Sequence, residues 1–276
     1  MTSKSSRAGR ITVLFAFLMV GLSVFFGLSL NISQLFQERA HLQICADAAA
    51  FSGAVQQARG LNQIARINAE TVTTFKRTQL ILKGIIYPTH EAGQLAARVA
   101  ETGFQAYNAV NLAKQLLESH DAVRDAKATA VEVTRRNEPA ANLTPYLPNA
   151  WGVGRLTPTI GARANFGFFY AQATPQGVVI LYDPGRPVKA YVLRKSPRDI
   201  VFFTARVLRP AFPWLFTWGK DGVKEVRDLR AYATAKPVGG ALWQYGSADP
   251  QYRTKLVRTG SIRPQPRIPD NWGLEW

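Results

Sequence analysis

The chain begins with a long hydrophobic run that contains no charged residue. Residues 11–30, ITVLFAFLMVGLSVFFGLSL, would rise about 30 Å as a helix, which matches the hydrocarbon core of a bilayer. Residues 1–10 carry three basic residues and no acid. The positive-inside rule therefore predicts a cytoplasmic tail over 1–10, a transmembrane helix over 11–36, and the remaining chain on the other side of the membrane.

A cleaved signal peptide is the alternative interpretation of this run. A signal peptide has a shorter apolar region of about 7–15 residues and a small-x-small cleavage site. Here the run is longer, and the following SQLFQERAHLQ continues as helix. We therefore favour an uncleaved single-pass anchor.

Residues 37–136 have a helical pattern with a single break. Alanine-rich stretches with high helix propensity fill this region, and Pro88 is its only proline. Proline disfavours helix at the preceding residue and lacks its own backbone donor, so the helix is expected to break over 87–90. The pattern predicts a stalk made of a long αα-hairpin that stands on the membrane.

A stripe of small residues follows the first stalk helix and allows another element to approach its backbone closely. It consists of Ala46, Ala49, Ala50, Gly53, Ala54 and Ala58. Two partners remain open: the second helix of the same chain, or a helix of another subunit in a helical assembly. Cys45 beside the stripe could cross-link a dimer, although free cysteines are usually buried and inert.

The pattern changes after residue 136. Of the 16 prolines, 15 lie from Pro139 onward, as do all 6 tryptophans. We expect a linker over 137–152, a basic β-rich head with its own core over 153–260, and a proline-rich tail over 261–276. Strand-like runs bounded by turn residues lie at 162–173, 177–183, 188–195, 199–208, 229–236 and 252–258. The predicted fold class is α+β: a transmembrane helix, a long helical hairpin and a small antiparallel β-rich head.

Charge is concentrated on the predicted head. Lys and Arg number 34 against 18 Asp and Glu, and residues 151–276 carry 19 of these basic and 8 of these acidic residues. A candidate surface for an anionic partner comprises Arg194, Lys195, Arg198, Arg206 and Arg209, with aromatic residues interleaved. A half-buried strand with a solvated basic face would give the same pattern. The expected location makes an envelope lipid or polysaccharide a better partner than intracellular nucleic acid, which we do not expect.

Catalytic and metal-binding patterns are absent from the sequence. The chain has no P-loop and no G-x-S-x-G elbow, and its three histidines lie far apart. One cysteine excludes an intramolecular disulfide framework and a cysteine-cluster zinc site. The lone GKDG at 219–222 is typical of a hairpin loop. We expect no enzymatic activity, no metal and no cofactor.

The region around the anchor resembles the TadE/TadG-like proteins of the Flp (Tad) pilus-assembly system. A basic-glycine start at residues 7–9 precedes the hydrophobic run. LQICADAAAFSGA (42–54) is similar to the family's LQ-x-x-A-D-A-A-A-x-x-G-A segment, and GLNQIARIN (60–68) to its LN-x-IA-x-x-N stretch. The resemblance covers about residues 9–68, and RAYATAKPVGG (230–240) is a weaker match to a C-terminal strand.

The resemblance implies a minor pilin or pseudopilin-type role in a bacterial inner membrane or pilus. The bulk of the chain would be periplasmic or surface-exposed, and its partners would be other pilin-like or Tad assembly subunits and membrane lipid. Gly9 becomes a candidate processing site, although processed pilins usually carry a glutamate soon after the cleaved glycine and the first acid here is Glu38. The D-x-S-x-S motif of metal-dependent adhesion is absent. A membrane-tethered receptor for an anionic polymer, including extracellular DNA, is the second hypothesis.

Overall fold

The protein has an α+β fold in which two long helices support antiparallel strands. The computed structural model describes residues 4–86, 91–147, 156–165, 168–174, 177–183, 187–195, 201–211, 216–219, 222–225, 228–240, 242 and 252–258. The helices are α1 (Lys4–Ile86) and α2 (Glu91–Asn137). The strands are β1 (Asn142–Tyr146), β2 (Leu156–Asn165), β3 (Phe168–Thr174), β4 (Gly177–Asp183), β5 (Pro187–Lys195), β6 (Phe203–Pro210), β7 (Phe216–Gly219), β8 (Gly222–Glu225), β9 (Asp228–Val238) and β10 (Arg253–Val257).

Helix α1 joins the hydrophobic run to the stalk without a break. Its 83 residues correspond to a rod of about 125 Å. Among the described helices, α1 alone is long and apolar enough to cross a membrane, and the chain buries none of its most hydropathic stretch, whose mean hydropathy is 2.5. This helix fits a membrane-anchored protein.

Helices α1 and α2 form the predicted hairpin. Helix α1 ends at Ile86 and α2 begins at Glu91, on either side of the expected break, whose own residues 87–90 lie outside the described part. The helices approach each other closely at Gly60, where an added Cβ would lie 2.4 Å from the Cβ of Ala122. The two backbones meet at a distance that only glycine permits.

Replacing Gly60 with alanine tests this contact. We expect Gly60→Ala to destabilise the stalk by roughly 1–3 kcal/mol, because the new methyl group overlaps a buried side chain of the facing helix. Denaturant unfolding of the full chain in detergent, followed by circular dichroism, measures the change.

A matched control substitution separates the effect of steric overlap on stability from the effect of helix propensity. Apart from the backbone of α2 itself, no atom of the described residues would lie within 4 Å of a Cβ added at Gly103 in α2. Gly103→Ala should therefore stabilise by roughly 0.5–1 kcal/mol, as glycine does worse than alanine inside a helix. Equal effects of the two substitutions would contradict the close approach at Gly60.

The strands form one four-stranded sheet and three two-stranded ladders in the described part of the chain. The four-stranded sheet, called the main sheet here, has the order β1-β6-β9-β10, with every pair antiparallel. The two-stranded ladders pair β2 with β5, β3 with β4, and β7 with β8. Gly219 pairs with Gly222, so the GKDG segment joins two strands of a hairpin as predicted.

Two of the differences from the sequence expectations change the strand assignment itself, not only the bounds of a strand. Strand β1 lies inside 137–152, the segment expected to be a linker, because its backbone pairs with β6. The run 162–173 contributes to two strands, since β2 pairs with β5 whereas β3 pairs with β4. The expected strand at 177–183 is confirmed at the same bounds as β4.

The main sheet does not have the separate core expected for the head. One buried cluster contains α1 residues from Leu42 to Ala54, Ala126 and Ala130 of α2, and core-facing residues of β6 and β9. A second cluster joins Leu61 and Ile64 of α1 to Leu193 of β5. Among the described residues, the main sheet and β5 therefore complete their cores against the helical hairpin.

Candidate functional site

The small-residue stripe on α1 lies at the centre of the interface where α1 and α2 pack against the main sheet, which we call the joint. Ala46, Ala49, Ala50 and Ala54 have no exposed surface, and Gly53 and Ala58 are also buried. The stripe packs against α2 and the sheet together. The chain itself therefore covers all six positions, which leaves none of them as an open surface for another subunit.

The face of the sheet that meets the stripe also consists mainly of small side chains. Strand β9 presents Ala231, Ala233 and Ala235, and strand β6 presents Ala205. Alanine on both sides lets the helix lie close to the sheet. Phe203 is the exception, and it fits because residue 53 is glycine: a Cβ there would lie 2.8 Å from the Phe203 ring.

Asn68 of α1 is a fully buried amide that joins three elements. Its Nδ2 donates to the carbonyl oxygens of Leu193 at 2.9 Å and Leu242 at 2.8 Å. Its Oδ1 accepts from the Leu193 N–H at 3.1 Å and from Gln115 Nε2 of α2 at 2.9 Å. All four hydrogen-bonding positions of the amide are thus used.

Other amides repeat this contact with strand backbone. Asn62 accepts from the Tyr252 N–H at 2.8 Å and donates to the Tyr252 carbonyl at 3.3 Å. Asn108 of α2 accepts from the Tyr191 N–H at 3.3 Å, and Gln43 of α1 donates to the Tyr232 carbonyl at 2.9 Å. The helices thus hold the strands by directional bonds, which fixes the register as well as the contact.

An ion-pair cluster closes the joint at the end nearest the hydrophobic run. Arg209 at the end of β6 binds Glu38 of α1 and lies 2.9 Å from the Glu138 carboxylate just after α2. His41 Nδ1 lies 3.3 Å from the same Glu138 carboxylate. Burial alone would lower the pKa of Arg209, but hydrogen bonds and charges from the two carboxylates outweigh it and raise that pKa.

The structure corrects the predicted anionic-partner surface at Arg209. This side chain is buried and shared between two carboxylates, so it is not open to an external anion. Arg206 is half-buried on the opposite face of β6. Arg194 and Lys195 belong to β5, but their side chains, like all of Arg198, lie outside the described residues.

Cys45 is buried inside the joint. Burial raises the pKa of its thiol, the Glu138 charge adds to the rise, and its Sγ lies 4.0 Å from the Thr134 carbonyl that accepts from it. The thiol is therefore poorly ionised and inaccessible. Gly9 lies within the backbone of α1. No group of His, Cys, Asp and Glu that could hold a metal occurs among the residues described.

The sequence pattern did not identify Asn68 and Glu38 as residues of the joint. For Arg209, the alternation of β6 was a signal that its side chain lies on the core face. Arg209 has the same strand parity as Phe203, Ala205 and Val207, so alternation alone places it on the core face of β6. A charged residue on that face needs a buried partner of opposite sign.

Comparisons with known proteins concern the hydrophobic run and the part of the joint nearest to it. No curated protein and no solved structure matches the chain. One family model matches a segment near the N-terminus, and the family is an assembly family. The matched segment contains the hydrophobic run and the buried stripe through Ala54. Residues 9–57 match the family model of the Flp pilus-assembly TadE/G-like proteins.

Proposed function

We propose that the chain is a non-enzymatic, single-pass component of Flp/Tad pilus assembly or of a related secretion machine, with a minor pilin- or pseudopilin-like role. The observation that carries the proposal is that the matched segment 9–57 forms one uninterrupted helix from the hydrophobic run into the joint. The part of the chain that resembles the family thus serves as anchor and as support for the sheet.

The proposed topology follows from the sequence. The basic residues before the run favour a cytoplasmic N-terminus, and the stalk and main sheet would then stand on the periplasmic side of a bacterial inner membrane or on the surface of a pilus. Other pilin-like or Tad assembly subunits are the partners in this proposal. Their anchor helices would contact α1 side by side, because helices anchored with the same topology run in the same direction through the membrane.

Fractionation with cross-linking in a strain that assembles Flp pili tests the proposal. We expect the tagged chain in the membrane or pilus fraction, cross-linked to Tad subunits, and we expect its deletion to reduce piliation. A deletion complemented by Gly103→Ala should restore piliation, since the added methyl group would meet no other element among the described residues. Recovery as a soluble monomer with normal piliation of the deletion strain would refute the proposal.

Binding of an anionic polymer is a second candidate function, favoured by one observation. Lys236 of β9 and Lys255 of β10 are directly opposite each other, and neither makes an ion pair with any residue described. Like charges at opposed positions destabilise a sheet, whereas a bound polyanion would stabilise them. We expect binding of heparin to the full chain to weaken with salt and with Lys255→Glu. Binding unchanged by this substitution would contradict the candidate.

A further inference from the structure

The end of the helical hairpin farthest from the hydrophobic run exposes large apolar side chains on both helices. Leu80 and Ile81 of α1 are 70% and 58% exposed, and Val99 of α2 is 66% exposed. The rings of Phe75 and Phe104, with centroids 5.2 Å apart, align the two helices, and all three residues lie about 8 Å beyond that contact. We call Leu80, Ile81 and Val99 the apolar tip of the hairpin.

Two cations lie about one helical turn from the apolar tip, on the side toward the anchor. Lys76 and Arg77 are exposed, and neither makes an ion pair with any residue described. Residues 71–86, the last part of α1, contain three basic residues and no acid. On α2, Glu101 lies near this level and accepts a hydrogen bond from Gln105 at 3.2 Å. The described cations therefore outnumber the described acid at this end of the hairpin.

We infer that the apolar tip and its two cations bind the surface of a bilayer that contains anionic phospholipid. Leu80 and Ile81 enter the boundary between the headgroups and the acyl chains, where apolar side chains of a basic helix are buried by about 5–10 Å. Lys76 and Arg77 lie about 6 Å behind them along the helix axis, which places their charges at the level of the lipid phosphates.

The distribution of the apolar residues favours lipid over a protein partner. Each of the three residues of the apolar tip lies about 120–140° around its helix from Phe75 or Phe104, the phenylalanine of that helix. The two helices therefore expose apolar surface on sides that face away from each other, and the tip has no single groove or stripe. A protein partner covers one side, whereas acyl chains surround an apolar helix end completely. The neighbouring cations match the negative surface potential of an anionic bilayer.

Helix α1 determines which bilayer the apolar tip reaches. Because α1 is one uninterrupted helix, Leu80 lies about 66 Å along the axis beyond Phe36, the end of the expected transmembrane span. The tip therefore binds a bilayer that faces the one holding the anchor. This inference uses the single-pass anchor of the proposed function and goes beyond it, since no pilus subunit takes part in the contact.

Binding of vesicles to the full chain in nanodiscs tests the inference. The nanodiscs contain phosphatidylcholine, and the vesicles contain phosphatidylcholine with or without phosphatidylglycerol. We expect co-sedimentation with the vesicles that contain phosphatidylglycerol, weakened by salt. Lys76→Gln/Arg77→Gln should weaken this binding by at least about tenfold, because each basic residue near an anionic surface strengthens it by about fivefold. Leu80→Ser/Ile81→Ser should weaken it by at least about tenfold as well.

Matched controls separate the tip from other cations and other exposed apolar residues of the hairpin. Lys114→Gln/Lys127→Gln removes the same charge from exposed positions of α2, and Val110→Ser/Leu117→Ser removes exposed apolar surface from the middle of α2. Both controls should bind vesicles as the native chain does. Circular dichroism checks that all four double variants keep their helices, which we expect because every substituted side chain is exposed.

Three results would overturn the inference: tip variants that bind as the native chain does, controls that lose as much binding as the tip variants, or equal binding to both kinds of vesicle. The proposed function is tested separately. If the chain binds vesicles through its tip but co-purifies with no Tad subunit, the proposed function is wrong and the inference stands. If Tad subunits co-purify and the tip binds no vesicle, the reverse holds.

Discussion

Replacement of Arg209 with methionine should destabilise the region outside the membrane by roughly 3–5 kcal/mol at neutral pH. The substitution keeps an extended side chain of similar size but removes the guanidinium that the Glu38 and Glu138 carboxylates share, leaving only His41 beside Glu138. Both carboxylates are largely buried, so water does not replace the lost partner. Chemical unfolding of the full chain in detergent, followed by near-UV circular dichroism, measures the loss.

A matched control variant identifies the cause of the loss. Arg230→Met is the matched control, because Arg230 is exposed on β9 and makes no ion pair with the residues described. A loss at Arg230 as large as that at Arg209 would contradict the role of the cluster.

Replacement of Asn68 with aspartate should have a comparable effect without changing the side-chain shape. The Nδ2 donors to Leu193 and Leu242 are lost, and a carboxylate replaces a neutral buried group. Each unsatisfied buried group costs about 1–3 kcal/mol, and the charge adds to this. We expect a loss of at least about 3 kcal/mol at neutral pH, measured by the same unfolding experiment.

The sign of the pH effect tests the explanation. Burial raises the pKa of an introduced carboxyl, and the protonated form regains one donor. Stability of Asn68→Asp should therefore be highest at low pH and fall as the pH rises through that pKa. Asn142→Asp, at an exposed position of β1, should change stability little across the same range. A pH-independent loss at residue 68 would contradict the hydrogen-bond network.

The sequence was sufficient to predict the elements whose signals are local. The uncharged run, the break at Pro88 and the alternation of β9 depend on neighbouring residues only, and the structure has the corresponding anchor helix, hairpin and strand. The stripe of small residues was recognised, and α2 was one of the two partners considered for it, but the sheet was not. The alanine face of β6 and β9, which begins at Ala205, lies far from the stripe along the chain.

The long-range polar contacts could not be predicted from the sequence either, because their partners are also distant in the chain. Arg209 meets Glu38 across 171 positions, and Asn68 meets Leu193 across 125. A single sequence gives no pairing for such groups. It does indicate which polar residues lie on apolar faces and therefore need a partner, and both Arg209 and Asn68 belong to that class. Among the described residues, the main sheet shares its core with α1 and α2, and the alanine faces of β6 and β9 fit the small residues of α1.

In the proposed function, helix α1 acts in the cell as one membrane anchor and stalk. Intact mass analysis of the tagged chain, isolated from washed membranes, tests it most directly. We expect the mass of the whole chain, 30.5 kDa plus the tag, or the mass that remains after cleavage following Gly9, since both retain the hydrophobic run. A mature chain that begins near residue 36 or later would show that the run is a removed signal, and would contradict the account.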